Sequence, residues 1–354
     1  MIDGDQQLPL ACQSNRWQEL ADKALEGRRL AADEAQAVLE SSDLELLAVL
    51  AAAYRVRHHY FGDTVQFYYL TNAKSGLCAE DCGYCSQSKV SEAEIPRYNF
   101  LNREKLLEAA AKAAELEAKT YCLVISGRSP TGRELEAVTR IVPEIKQRFG
   151  LNVCACLGLL DAEQARRLKE CGVDKVNHNL NTSRAFYPEI CSTHTFEDRL
   201  NTLRAVREAG MQLCSGGIVG MGESNRDVVE MAITLAELKV ESIPVNFLNP
   251  IDGTPLAGTR RLNPRYCLKV LSMFRLVNPA SEIRVAGGRE MHLGSMQAMA
   301  LYPANSVFVG DYLTTKGQAP EDDFRMVEEL GFVVTREAKV PGSPAVPAAN
   351  RATG

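Results

Sequence analysis

Val65-Gln66-Phe67-Tyr68-Tyr69-Leu70, followed closely by Cys78-Ala79-Glu80-Asp81-Cys82-Gly83-Tyr84-Cys85, is the stretch on which the reading of the chain turns. The apolar and aromatic run reads as a strand, so the cysteines lie on the loop that leaves its C-terminal end. A C-x3-C-x2-C spacing on so short a loop can turn three thiolates toward one point. A 4Fe–4S cluster as a rule takes four thiolates. Three leave one iron open, and an open position is what a catalytic metal centre needs. A structural zinc site would need a fourth Cys or His, and none follows within the loop. A redox dithiol made of Cys82 and Cys85 would leave Cys78 idle.

Outward from that stretch, short apolar runs alternate with helical patterns. After Val65–Leu70 come Thr120–Ser126, Asn152–Leu157, Lys175–Asn179, Gln212–Ile218, Ser242–Phe247, Glu282–Ala286 and Ser306–Val309. Helical periodicity is clearest over Arg103–Glu117, Ala162–Cys171 and Asp198–Ala209, and Gly150, Gly172 and Gly210 suit positions just past a helix end. Strands alternating with helices predict an α/β fold, a TIM-type (β/α)8 barrel; a six-stranded incomplete barrel results if the last two runs are not strands. Ahead of the barrel, Ser14 reads as an N-cap. Apolar stripes at Leu20, Ala24 and Leu25, at Ala35, Val38 and Leu39, and at Leu44, Leu47, Ala48 and Val49 predict helices. The expected organisation is a helical extension over 1–60, the barrel over 61–334, and a disordered tail over 335–354 carrying Pro341, Pro344 and Pro347.

The 354 residues, 45% hydrophobic and 24% charged, suit a globular enzyme. A net charge of −5 gives no electrostatic footprint for nucleic acid. No apolar run approaches the roughly 20 residues that span a membrane, and Met1 to Asn15 lacks the pattern of a signal peptide. Eleven cysteines are an odd count, and most of them fall in the cluster loop or in apolar strands. This predicts a reducing cytoplasm and iron–sulfur chemistry, and argues against a secreted disulfide framework.

The strands carry polar residues where a barrel interior is normally filled by branched apolar ones. Cys122, Cys154, Cys156 and Cys214 lie on three strands, and Arg284 on a fourth. A lone strand cysteine is usually a small buried hydrophobe. Cysteines on three strands of one closed barrel can instead converge on a second iron–sulfur cluster. A 2Fe–2S cluster needs four ligands, and Cys156 is the only other cysteine placed to help. Asn177, Asn179 and Asn181 are spaced by two, so they share one face of the fourth strand and its exit. Such amides suit ureas, amides or ribose hydroxyls. Asn246 ends the sixth strand. Gly216–Gly222 lacks the Lys-Ser/Thr ending of a phosphate-binding loop.

Tyr84, an aromatic between the second and third cysteines, makes the loop resemble the signature of radical S-adenosylmethionine enzymes. From about Tyr69 to Phe332 the chain resembles, within them, the biotin synthase family. The carrying stretches are Tyr121-Cys122, Cys154-Ala155-Cys156-Leu157-Gly158, Asn177-His178-Asn179-Leu180-Asn181-Thr182-Ser183 and Cys214-Ser215-Gly216-Gly217 through Glu223. With them go Pro244-Val245-Asn246, Gly253-Thr254-Pro255-Leu256, Arg284 through Glu290, and Leu313-Thr314-Thr315.

The resemblance implies sulfur insertion into dethiobiotin by a radical generated from S-adenosyl-L-methionine. It implies a 4Fe–4S cluster on Cys78, Cys82 and Cys85, and a 2Fe–2S cluster on Cys122, Cys154, Cys214 and Arg284. Tyr84 would pack near the adenine, with Gly216–Gly222 passing beneath it, and Arg199 would pair with the methionyl carboxylate. Asn177, Asn179 and Asn246 would meet the ureido ring or the neighbouring ribose, and Thr314 and Thr315 the dethiobiotin tail. Asn181, where many members carry aspartate, would accept from a ribose hydroxyl more weakly than a carboxylate. A flavodoxin or ferredoxin reductant and a homodimer are implied as well. A different radical enzyme on a similar barrel would not need Cys122, Cys154, Cys214 and Arg284 together. An iron–sulfur electron carrier would want four cysteines per cluster and no polar barrel lining.

Overall fold

The structure is a computed structural model that describes residues 10–335; beyond Thr335 the expected disordered tail lies outside the described residues. The chain enters through α1 (Leu10–Leu25), α2 (Ala32–Leu39) and α3 (Leu46–Phe61). Ser14 therefore sits inside α1 and does not cap it. The third stripe is also turned from its expected direction: Leu44 and Leu47 are exposed, while Leu46, Val49, Leu50, Ala53 and Val56 face the core.

The barrel strands are β1 (Thr64–Lys74), β2 (Thr120–Ile125), β3 (Asn152–Cys156), β4 (Lys175–Asn177), β5 (Gln212–Cys214), β6 (Gly217–Val219), β7 (Ser242–Phe247), β8 (Glu282–Val285) and β9 (Ser306–Phe308). Every pairing is parallel, and β1 bonds both β2 and β9, which closes the sheet. β5 and β6 share one place beside β7, so the barrel has eight positions. The single strand expected over Gln212–Ile218 is thus split at Ser215-Gly216. The break falls where the chain passes close to its neighbours: a Cβ on Gly216 would stand 1.9 Å from the Pro244 carbonyl oxygen. A Cβ on Gly217 would stand 2.1 Å from the Met231 sulfur. These two glycines thus answer to neighbours in the protein.

Helices α4 (Arg103–Glu115), α5 (Gly132–Phe149), α6 (Ala162–Glu170), α7 (Tyr187–Ile190), α8 (Phe196–Glu208), α9 (Asn225–Glu237), α10 (Pro264–Val277), α11 (Arg289–Leu293) and α12 (Pro320–Glu329) surround the strands. Their starts follow local chemistry. Thr131, Asp161, Thr195 and Ser224 each cap a helix while the residue three positions on bonds back to the cap. Gly150 ends α5 in the left-handed region. A last strand, β10 (Val333–Val334), extends β1 outside the barrel.

The entry helices close the underside of the barrel. Buried Arg57 of α3 donates to the carbonyls of Thr64, which opens β1, and of Ala304, which precedes β9. Lys269 of α10 reaches the Ser41 carbonyl and Asp43. With that end plugged, the opening lies at the C-terminal ends of the strands, where barrel enzymes place their chemistry.

Candidate active site

The β1–α4 connection carries Cys78, Cys82 and Cys85, and all three line a cavity of about 270 Å3 at the barrel mouth. The loop is pinned to the Ile190–Thr195 stretch that enters α8. Gly83 N–H donates to the Ile190 carbonyl at 2.9 Å, and the Asp81 carboxylate accepts from the backbone of Ser192 at 2.9 Å and of Thr193 at 3.2 Å. Burial alone would raise the Asp81 and Glu80 carboxyls, but the hydrogen bonds they accept outweigh it and hold both below their ordinary values. On the far side, Ser86 bonds Thr314 at 2.8 Å.

One thiol here was invisible in the sequence. Cys191 Sγ lies 3.7 Å from Cys82 Sγ. It turns away from the cavity toward Asp81 and His194, so the three loop cysteines remain the set that faces the open space. That set fits a cluster with one iron left to an exogenous ligand.

Beside the cysteines, Arg199 of α8 is buried. It donates to the Asn179 carbonyl at 2.7 Å, to Tyr187 Oη and to His194 Nε2. Asn181, at φ 72°, donates to Tyr84 Oη. Asn tolerates the left-handed region better than most residues.

A second cavity, about 280 Å3, shares the walls Tyr84, Cys85, Cys156, Asn177, Asn179 and Asn246 with the first and runs deeper. Cys122 and Cys154 are register partners on β2 and β3, and Cys214 on β5 is buried with them around Tyr68. Arg284 of β8 completes the group, its Nη1 3.8 Å from Cys214 Sγ. Cys156 is on the same face of β3 as Cys154 but nearer the mouth, since it lines both cavities.

Below the thiols lies an ion network that sequence reading missed. Glu282 accepts from Arg284 at 2.6 Å, from Tyr68 Oη at 2.8 Å and from Ser306 at 2.9 Å, and Lys175 donates to Tyr68 Oη at 2.8 Å. Burial works against the Lys175 ammonium, but Tyr68 and Glu282 outweigh it and raise its pKa. Two buried cations thus face one carboxylate, and Arg284 Nε has no partner among the described residues. A buried surplus cation and an orphaned N–H call for an anionic group. Three thiolates carrying an iron–sulfur cluster supply one, so the donor set fits. The one sequence signal was that Glu282 and Arg284 share a strand face.

The amides are only partly spent. Asn177 Nδ2 bonds Asn179 Oδ1 at 3.1 Å and Cys214 Sγ at 3.2 Å, and Gly216 N–H donates to Asn179 Oδ1 at 3.1 Å. Asn177 Oδ1 and Asn179 Nδ2 make no hydrogen bond among the described residues. Asn246 is tied at both ends, to Gly217 O at 3.1 Å and Gly287 N–H at 3.0 Å, keeping one N–H for a ligand. Thr314 and Thr315 line the deeper cavity on its open side.

A closed parallel barrel with a three-cysteine loop after its first strand and an axial cavity defines a radical S-adenosylmethionine enzyme. The sequence model of the Radical SAM superfamily matches residues 74–236, and that of the Biotin and Thiamin Synthesis associated domain matches residues 244–333. A biotin synthase of Rhodopirellula baltica is 62% identical over 90% of this chain and 89% of its own, and one of Bacillus subtilis is 51% identical over 90% and 96%. The chain belongs to the biotin synthase family. Membership implies a 4Fe–4S cluster and S-adenosylmethionine. Among solved structures, methylornithine synthase superposes with a TM-score of 0.76 at 21% identity, covering 89% of this chain and 97% of that one, a likeness of fold alone. Among the described residues no helix is long and apolar enough to cross a membrane.

Proposed function

We propose that the chain makes biotin by inserting sulfur into dethiobiotin, with Cys78, Cys82 and Cys85 holding the 4Fe–4S cluster and Cys122, Cys154, Cys214 and Arg284 holding a 2Fe–2S cluster. When bound, the first group supplies the electron that cleaves S-adenosylmethionine and the second supplies the sulfur. The protein's own part is placement and exclusion of water. Arg199 offers its two remaining N–H groups to the methionyl carboxylate. Tyr84, steadied by Asn181, flanks the adenine, and Asn181 also reaches the ribose. Asn177 Oδ1 and Asn179 Nδ2, with the spare N–H of Asn246, offer an acceptor and donors to the ureido ring, and the apolar walls Leu70, Val124, Phe247 and Phe308 exclude water around the reacting carbon. Thr314 and Thr315 meet the tail at the open side.

The observation that carries this reading is the deep pair of features: three converging thiols over a buried surplus cation. A flavodoxin or ferredoxin is the reductant class that suits a one-electron centre at the mouth, and the protein works as a homodimer in a reducing cytoplasm, in keeping with ten described cysteines that are all free. The working unit is the barrel over 61–334, carried on the helical extension over 1–60. The test is an anaerobic assay that reads 5′-deoxyadenosine and biotin together. Cys78→Ala/Cys82→Ala/Cys85→Ala should yield neither product; Cys214→Ser should keep the first and lose the second. A normal biotin yield from Cys214→Ser would sink the reading.

A further inference from the structure

Glu80, His194 and Arg199 form a buried chain of hydrogen bonds in which only Arg199 has a role above. Arg199 Nη2 lies 2.8 Å from His194 Nε2. A guanidinium has only donors, so His194 Nε2 must be the acceptor, and the imidazole proton must sit on Nδ1. That nitrogen faces Glu80 Oε2, with which it is hydrogen-bonded. Glu80 is itself steadied by Thr193 Oγ1 at 2.6 Å and by Arg128 at 3.3 Å. Two ends therefore meet at one ring. One is the loop between Cys78 and Cys82; the other is the guanidinium at the mouth of the barrel.

The count of Arg199 donors shows what the ring does. Of five N–H groups, Tyr187 takes Nε–H, the Asn179 carbonyl takes one on Nη1 and His194 takes one on Nη2. One N–H remains on each Nη, the pair a carboxylate can bridge. Without His194, Nη2 has two unassigned donors and the guanidinium is free to rock about the bonds to Tyr187 and Asn179.

We propose that His194 is a positioning residue for S-adenosylmethionine binding. Its Nδ1–H tautomer, set by Glu80, holds Arg199 in the orientation that grips the methionyl carboxylate, so the cysteine loop and the carboxylate site become ordered together. The inference rests on the assignment of Arg199 made under the proposed function.

The test has two arms. In the first, S-adenosylmethionine affinity is measured by equilibrium titration of anaerobically reconstituted full-length protein, normalised to iron and sulfide per chain. His194→Ala should raise the dissociation constant about tenfold, the scale of one hydrogen bond to a charged group. His194→Gln, whose amide oxygen can accept from Arg199, should recover part of that loss. Glu80→Ala removes the acceptor that faces Nδ1 and leaves the Nδ1–H tautomer unsupported. It should weaken binding by up to the loss seen in His194→Ala, with no further loss in the double variant. Additive losses, or no rescue by glutamine, would overturn the proposal.

In the second arm, the full chain without cluster, labelled with 15N-histidine, reports the tautomer directly. His194, assigned by the signal missing in His194→Gln, should be Nδ1–H in the parent and gain an Nε2–H share in Glu80→Ala. An Nε2–H signal in the parent overturns the proposal even where a variant loads iron poorly. Arg199→Ala separates the two levels. If it leaves affinity unchanged, the assignment of the carboxylate site fails; if it weakens binding while the His194 variants do not, only the present inference fails.

Discussion

The Arg284 guanidinium carbon stands 3.3 Å from the centre of the Tyr68 ring, with both side chains fully buried. Stacking on the ring face and the bond to Glu282 hold the arginine at the blind end of the cavity, while its Nε–H has no partner among the described residues. The same tyrosine joins Lys175 to Glu282, so one aromatic residue organises the charges beneath the three deep thiols.

Glu282→Ala removes the one carboxylate bonded to Arg284 among the described residues and leaves buried charge uncompensated. Loss of one partner of a buried pair costs about 3–5 kcal/mol, so a drop in unfolding free energy of that size is expected in denaturant titration of the cluster-free protein. Glu282→Gln should cost nearly as much, because the amide fills the space but not the charge.

Burial works against the Glu282 carboxylate, but Arg284 and Lys175 outweigh it and bring its pKa down from 4.5 to about 2. A pKa lower in the folded than in the unfolded state stabilises above the unfolded value and is lost as pH falls through the folded one. This contribution is therefore flat above pH 5 and declines between about 4.5 and about 2. Unfolding measured across that window should show a slope in the parent that Glu282→Gln flattens.

Cys154→Ser and Cys156→Ser should part company. Serine is close in size to cysteine but a poorer ligand for iron. Cys154 lies among the deep thiols, whereas Cys156 also faces the mouth cavity. Iron per chain and biotin yield should fall in the first variant and stay near parent in the second. The reverse pattern would reassign the ligand.

Asn181→Asp should keep S-adenosylmethionine affinity equal or improved, since a carboxylate accepts from a hydroxyl more strongly than an amide and can accept from Tyr84 Oη. Asn181→Val should fail on both counts: it loses the Tyr84 bond and places a β-branched residue at φ 72°. That strain is about 1–2 kcal/mol, readable as a lower melting temperature.

Two glycines separate conformational from steric need. Gly150 has φ 65° with nothing within 4 Å of an added Cβ, so Gly150→Ala should cost about 1 kcal/mol. Gly216→Ala drives a methyl into the Pro244 carbonyl, 1.9 Å away, and should cost about 3 kcal/mol or more, with loss of soluble protein as the simplest sign.

The sequence by itself determined the class of fold and the three-cysteine loop, because both are written in local signals. Strand runs alternating with capped helices specify a parallel barrel, and C-x3-C-x2-C after the first run places three thiols on one turn. Period-two spacing also put Asn177 and Asn179 at the cavity. Tertiary structure alone decided what stands next to these residues. Cys191 meets Cys82 across 109 positions of chain, His194 meets Glu80 across 114, and Lys175 meets Tyr68 across 107. No local periodicity encodes such pairs; closure of the sheet brings them together. The need for glycine at the split of the expected Gln212–Ile218 strand is of the same kind, since it is the Pro244 carbonyl on a neighbouring strand that leaves Gly216 no room for a side chain.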